Sequence, residues 1–389
     1  MRRKLVYEFL MKMLRLLFIA FVAIHALIHL LGFVKEWKLA NVPQLNGPTL
    51  LPLSHMGARA MGLGWLVASV LLLLVAILFT VRYANWWMVA CTGVVVSQFL
   101  IVVYWHDAKF GTIANILIAV VVACAWAHWR FERTVAADVA ALYKQNGALQ
   151  TEVLGNEQIA HLPPVVQKWL RRSGVLGKPV VGIARIEQRG TMLTKPGGSW
   201  MPFAAQQHTA LQTPGFVWET EMGDNPLMTI GGRDRYLGGV GNMYISLLYL
   251  YPIVNARGFE IDQGSLVRYL AELVWFPSAA ANKRITWKAI NDTTAAATIT
   301  VGETTATGQF YFDTNGDCIA FEAPRYMSNN NAAPTLEQWR VQSKAFKKFG
   351  GVRIPAQSEI TWKLKAGDYT WLRLEITSVE YNPAAPQAK

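Results

Sequence analysis

Four apolar stretches dominate the first third of this chain and constrain its fold more than any other feature. They run from about Met13 to Val34, Met61 to Val81, Ala84 to Trp105 and Thr112 to Trp129. Each approaches the roughly 20 residues that an α-helix needs to cross a bilayer. The run Leu71 to Leu78 and the run Ile116 to Ala125 are apolar on every side, which no surface helix of a soluble fold tolerates. Trp86-Trp87, Tyr104-Trp105 and Trp126/Trp129 stand at the ends of stretches, where amphipathic rings favour the membrane interface. The first stretch is too long for a signal-peptide core, and no small-residue cleavage site follows it. Four membrane spans are predicted.

Charge distribution supports that division. The 389 residues carry a net charge of +12 but only 16% charged side chains, and 52% belong to the apolar and aromatic set. Up to Arg130 there are 11 Lys/Arg and 3 Asp/Glu, against 26 and 22 in the remainder. The excess therefore sits at span ends, and the second part is nearly balanced. It shows no basic stripe suited to a phosphate backbone, so nucleic acid is excluded as a partner and membrane lipids are expected. Eight basic residues (Arg2, Arg3, Lys4, Lys12, Arg15, Arg82, Arg130, Arg133) flank one side of the spans; Lys35, Lys38, Arg59 and Lys109 flank the other. The positive-inside rule then predicts a multi-pass protein of the bacterial cytoplasmic (inner) membrane, with its N-terminus and soluble part in the cytoplasm.

Polar groups within spans are costly and point to a bundle interior or a site. His25 and His29 share one helix face, being four residues apart. The predicted topology brings them to the outer half of the bilayer with His55, His106 and Asp107. These five are the candidate metal ligands: imidazoles at i and i+4 can share a metal, two helices can ligate a haem iron, and Asp107 could complete a proton relay. The alternative is structural, with His25 and His29 bonded between helices and the other three solvated in loops. No Cys-x-x-Cys-His sequence is present, and Cys91, Cys124 and Cys318 form neither a zinc spacing nor a disulfide framework.

Three domains are predicted: a four-helix transmembrane domain over 1–130, a helical connector over 131–178, and an antiparallel β half-barrel-like domain over 179–389. In the connector, His161-Leu162-Pro163-Pro164 marks a helix start. Beyond Val180 the apolar period changes from 3.6 to 2. About eleven strands follow, punctuated by Asn-Gly and Gly-Asp turn signals. So large an antiparallel sheet must curl, close or be covered. One helix, about Asp262 to Phe276, interrupts it, with Asp262 as N-cap and Pro277 as stop. Its Leu266, Leu270 and Leu273 form a stripe suited to plugging a curved sheet. Arg268, Glu272 and Trp275 fall on another face at i, i+4 and i+7. With Trp218 they are the candidate ligand-binding residues. A plain helix-surface ion pair, worth about 0.3 kcal/mol, competes with that reading.

The strands around Glu219/Glu221 and Arg233/Arg235 put like charges on one face. A stabilising charge ladder is expected there rather than a carboxylate acid/base pair. Gly238-Gly239-Val240-Gly241 lacks the third glycine and the strand-to-helix setting of a dinucleotide fingerprint. No P-loop, G-x-S-x-G or H-E-x-x-H sequence is present, so a non-enzymatic role is expected.

Two sets of residues carry a resemblance. His25 to Phe33, with Trp105 to Asn115, resembles the membrane part of an uncharacterised bacterial multi-pass family. Trp218 to Met222 and Tyr269 to Pro277 resemble its C-terminal part, a domain of unknown function. The soluble architecture is also similar to the half-barrels of lipoprotein-localisation factors, in which a helix plugs a concavity that holds acyl chains. That resemblance implies a lipid or other hydrophobic ligand. It also implies work outside the cytoplasm, which the charge count contradicts. A metal- or haem-dependent redox protein built on the histidines, and a docking subunit of a membrane complex, are the alternatives.

Overall fold

The computed structural model describes residues 2–146, 152–329 and 332–386. Residues 147–151 of the predicted connector lie outside the described residues, as do the side chains of Arg2, Arg3 and Lys4. Two compact units emerge, Met1–Arg130 and Phe131–Lys389.

The first unit contains α1 (Arg2–Glu36), α2 (His55–Thr80), α3 (Trp86–Val103), the single turn α4 (Trp105–Ala108) and the start of α5 (Gly111–Asn146). Four of these helices are long and apolar enough to cross a membrane. Small residues bring the helices close: a Cβ on Gly32 would meet the Trp65 ring, and one on Gly62 would meet Trp37. The interior is lined by Val22, Ala26, Leu72, Val75, Ala90 and Ile118. Ile24, Phe99, Ile116 and Val120 remain 56–59% exposed. An apolar outer belt of this kind suits hydrocarbon rather than water.

The second unit opens with the C-terminal half of α5. Then come α6 (Asn156–Ile159) and α7 (Pro164–Ser173), which begins at the predicted double proline and ends on Gly174 in left-handed conformation (φ 74°). Thirteen strands follow: β1 (Ile183–Met192), β2 (Met201–Ala210), β3 (Gly215–Met222), β4 (Ile230–Leu237), β5 (Val240–Leu247), β6 (Tyr251–Ala256), β7 (Ile285–Asn291), β8 (Thr294–Val301), β9 (Thr304–Phe312), β10 (Cys318–Asn329), β11 (Ala332–Phe349), β12 (Val352–Leu364) and β13 (Gly367–Tyr381). They form one antiparallel sheet in the order β6-β5-β4-β3-β2-β1-β13-β12-β11-β10-β9-β8-β7. The expected count of eleven is two short, because β5 and β6 were not anticipated. Their connecting turn carries Leu248 and Tyr249 at φ 52° and 60°, where a glycine or asparagine would have announced it.

The helix α8 (Phe259–Ala271) links edge strand β6 to edge strand β7. It packs on β4 and β5 near one edge and on β8, β9 and β10 near the other. Nine strand intervals separate β5 from β9, about 43 Å in a flat sheet at the usual spacing. A helix about 10 Å across can touch both only if the sheet curls around it. The result is a half-barrel with α8 as plug. Leu266, Val267, Leu270 and Leu273 have no exposed surface and join Phe216, Tyr236, Ile299 and Phe310 in the main core.

The helix itself differs from expectation at both ends. It starts at Phe259 behind Gly258 (φ 111°), and Asp262 is not its cap: its carboxylate accepts the Gly241 N–H at 2.6 Å. After Ala271 the backbone tightens to a 3₁₀ turn, Glu272–Trp275, before Pro277.

On the outer face, the second half of α5 lies across β1–β5. Phe131, Val135, Val139 and Leu142 pack on Ile183, Ala210, Val217 and Leu237. Asp138 holds both Arg233 (2.8 Å) and Arg235 (2.9 Å), the like-charged pair of β4. One helix carboxylate thus bonds both cations of the ladder.

Candidate functional site

In the bundle, His25 and His29 each meet a hydrogen-bonding partner from another helix. The His29 Nδ1–H donates to the His25 carbonyl at 2.7 Å, which leaves Nε2 to accept from the Ser97 hydroxyl at 2.7 Å. Ser97 in turn accepts from the Asn115 amide (2.9 Å), and the Asn115 carbonyl accepts from His25 Nε2–H (3.0 Å). The second Asn115 amide hydrogen reaches Gln98, which donates to Thr112. The tautomers follow from the network. His55 is exposed at the start of α2, and His106 is exposed and bonded to Asp107 at 2.9 Å. Asp107 also accepts the Gly47 N–H at 2.9 Å. Among the described residues, no three His, Cys, Asp or Glu side chains gather as a metal-holding group. The partners Ser97 and Gln98 form a short polar pair within an apolar span, which by itself carries no spacing signal.

The half-barrel holds a second polar cluster on its concave face. Arg268 on α8 donates Nε–H to Glu272 (2.7 Å), one terminal nitrogen to Asp234 on β4 (2.8 Å) and the other to Gln207 on β2 (2.8 Å). Gln207 passes its amide to the second Glu272 oxygen at 2.5 Å. The guanidinium also lies 4.7 Å from the Phe216 ring centre and 5.2 Å from that of Trp218, and Trp218 is anchored by its indole N–H on Gln188. Burial works against the Arg268 charge, but Glu272 and Asp234 outweigh it and hold the pKa above the ordinary value. Arg268, Glu272 and Trp218 thus come together as one group. Trp275 does not join it: the 3₁₀ turn directs its ring against Phe276, and its carbonyl accepts from Tyr381. Glu219 alternates to the face opposite Trp218, as does Glu221.

Not all of the concave face is covered by α8. By strand alternation, Met201, Phe203, Met222, Ile230, Ile245, Leu372 and Leu374 face inward in a cluster containing no α8 residue. Met201, Trp218, Ile230, Ile245, Leu372 and Leu374 are only half-buried. This apolar strip adjoins Arg268 through Trp218. Arg268 keeps 17% of its side chain accessible. A groove of about 540 Å³ that includes Phe203 and Leu374 is lined also by Arg189, Lys344, Glu359, Arg373 and Glu375. Those charges neutralise one another in ion pairs.

No curated protein matches this chain in sequence. In three dimensions it is similar to a putative outer membrane lipoprotein-sorting protein domain from Vibrio parahaemolyticus, at 10% identity and a TM-score of 0.32, over 57% of this chain and 93% of that one. A LolA-superfamily protein from Nitrosomonas europaea matches at 11% identity and a TM-score of 0.33, over 56% and 94% of the respective chains. A DUF1329-family protein from Desulfovibrio piger gives 9% and 0.26, over 56% and 92%. The family whose sequence pattern does match covers residues 152–374, which begin just after α5 and include both the polar cluster and the apolar strip. The chain belongs to that family of unknown function, DUF6544.

Proposed function

We propose that the protein is an integral membrane protein whose half-barrel binds a lipid or another amphipathic molecule at the membrane surface. The observation that carries this reading is the half-buried strip of Met201, Ile230, Ile245, Leu372 and Leu374, inside a concavity that α8 only partly fills. Apolar side chains left uncovered in a concave site are the usual lining of a small-molecule pocket. Methionines adapt to flexible acyl chains because they are unbranched and polarisable. The four apolar helices supply the membrane anchor in this reading, and the basic excess at their ends supports a cytoplasmic β-domain.

Native mass spectrometry of the full chain, purified in a mild detergent, tests the binding. A retained lipid is expected, and Ile245→Glu should lower its occupancy at least about tenfold, since a carboxylate in an apolar site loses hydration without gaining a partner. A chain that carries no lipid in either form would refute the reading. The side of the membrane is tested separately, by labelling a cysteine placed in the exposed turn at Ala366 of intact and of permeabilised cells. Labelling before permeabilisation would place the domain outside.

A further inference from the structure

Among the described residues, Arg325 is an inward cation of the half-barrel without an ion-pair partner. It follows Phe321 and Ala323 along the inner face of β10, both 1% exposed. Its Nε–H donates to the carbonyl of Gly264 on α8 at 3.0 Å. The guanidinium lies 4.8 Å from the Trp339 ring centre and 5.9 Å from that of Trp362. Among the described residues no carboxylate lies within ion-pair distance of it. Glu337, its cross-strand neighbour on β11, makes no ion pair with it either. The nearby acids Asp234 and Glu272 are engaged by Arg268. Burial accordingly holds the Arg325 pKa down to about 10. Two indole faces and one carbonyl solvate the charge without neutralising it.

Arg325 is also continuous with the apolar strip. Leu372 on β13 pairs with Ile360 on β12, and Trp362, two residues on, pairs with Trp339 on β11. Trp339 pairs with Ala323, next to Arg325 on the inner face of β10. One row of inward side chains thus leads from the strip to the guanidinium. We propose that the occupant of the strip is an anionic amphiphile, a fatty acid or an anionic phospholipid, whose carboxylate or phosphate docks on Arg325. This rests on the lipid-binding reading above and adds the chemistry of the head group. A planar guanidinium is suited to either anion because it can offer two parallel donors.

The test is native mass spectrometry of the detergent-purified full chain, equilibrated in parallel with oleate, oleyl alcohol, phosphatidylglycerol and phosphatidylcholine. The wild type is expected to retain an anionic probe at least about tenfold better than its neutral or zwitterionic counterpart, the size of one charge-assisted hydrogen bond. Preference for oleate identifies a fatty acid, and preference for phosphatidylglycerol identifies a phospholipid. Arg325→Gln should abolish the preference while still retaining oleyl alcohol, which shows that the half-barrel is intact. Arg325→Lys should restore part of it. Glu337→Gln should leave oleate retention unchanged or increased. If Glu337→Gln loses oleate as Arg325→Gln does, the two residues form a structural pair and the proposal is wrong. It is equally wrong if Arg325→Gln keeps the wild-type preference while Ile245→Glu loses every probe, an outcome that leaves the strip as a lipid site. Failure of all four probes to bind the wild type would remove both readings.

Discussion

Asp138 and Arg233 form a buried ion pair between α5 and the outer face of β4, with a carboxylate oxygen 2.8 Å from the guanidinium. The other oxygen of Asp138 takes Arg235 at 2.9 Å, so one helix residue compensates two strand cations. Arg233 is further bonded to Asn242 on β5. Removing Asp138 would take the helix-borne counter-charge from two guanidinium groups packed under α5. Breaking one side of such a buried arrangement costs about 3–5 kcal/mol. Asp138→Asn is therefore expected to lower the unfolding midpoint of the β-domain strongly, measurable by thermal denaturation followed in the near ultraviolet. A shift of only a degree or two would show that the pair contributes little.

The same interface contains an acid-sensitive contact. His208 on β2 accepts from the Tyr143 hydroxyl of α5 at 3.2 Å and donates to Gln206. Burial, and then the field of Arg185, hold its pKa down to about 4 from an ordinary 6.5. The unfolded chain binds the proton in that interval and the folded chain does not. The stability contribution is therefore complete above about pH 6.5 and is lost as the pH falls toward about 4. Between about pH 7 and pH 5 the loss is on the order of 2 kcal/mol. His208→Gln should flatten this part of the stability–pH curve. An unchanged slope in the variant would assign the acid loss to other groups.

The turn joining β5 to β6 predicts a gain. Leu248 and Tyr249 both hold left-handed backbone, and the Leu250 N–H closes the turn on the Leu247 carbonyl. An ordinary L-residue in that conformation costs about 1–2 kcal/mol, most of which asparagine avoids. Tyr249 covers Gly231 and contacts Phe131 at 5.0 Å, so it should be left in place. Leu248→Asn is expected to stabilise the domain by about 0.5–1 kcal/mol in chemical denaturation. A net loss would mean that the half-buried leucine side chain contributes more than its backbone costs.

That turn also shows where sequence reasoning stops. Strands with polar–apolar alternation and glycine or asparagine turns were legible, as were the plug helix and the four spans. The strands β5 and β6 were hidden by a turn without a turn residue and by Gly241, whose role is spatial. A Cβ on Gly241 would meet the Ser265 hydroxyl at 2.8 Å and the Ile261 carbonyl at 2.9 Å, so the glycine lets β5 pass against α8. In the concave cluster, Arg268 and Glu272 were legible because four residues of helix separate them. Gln207, Asp234 and Arg325 come from distant strands, and only the curl of the sheet brings them to α8. The sequence places a strand only from Cys318 to Pro324, one residue short of Arg325, whereas β10 runs on to Asn329 and carries the alternation from Phe321 and Ala323 to Arg325.

In the bundle, His29 is committed as a neutral imidazole by its two bonds, one to the His25 carbonyl and one from the Ser97 hydroxyl. Replacing it with phenylalanine keeps a ring of similar size beside Trp65, whose ring centre is 5.1 Å away, but removes the acceptor of the Ser97 hydroxyl and with it the hydrogen bond between α1 and α3. Interhelical hydrogen bonds in membranes are worth about 0.6–2 kcal/mol, and His29→Phe should lose about that much in detergent-denaturant titration of the full chain. Combining it with Ser97→Ala should cost less than the sum of the two single changes, because one bond is removed twice. Strict additivity would mean that the two side chains do not act together. Zinc is expected to leave the transition unmoved, since both His29 nitrogens are already engaged. A zinc-dependent stabilisation abolished by His29→Phe would instead favour the metal-binding alternative for this face of α1.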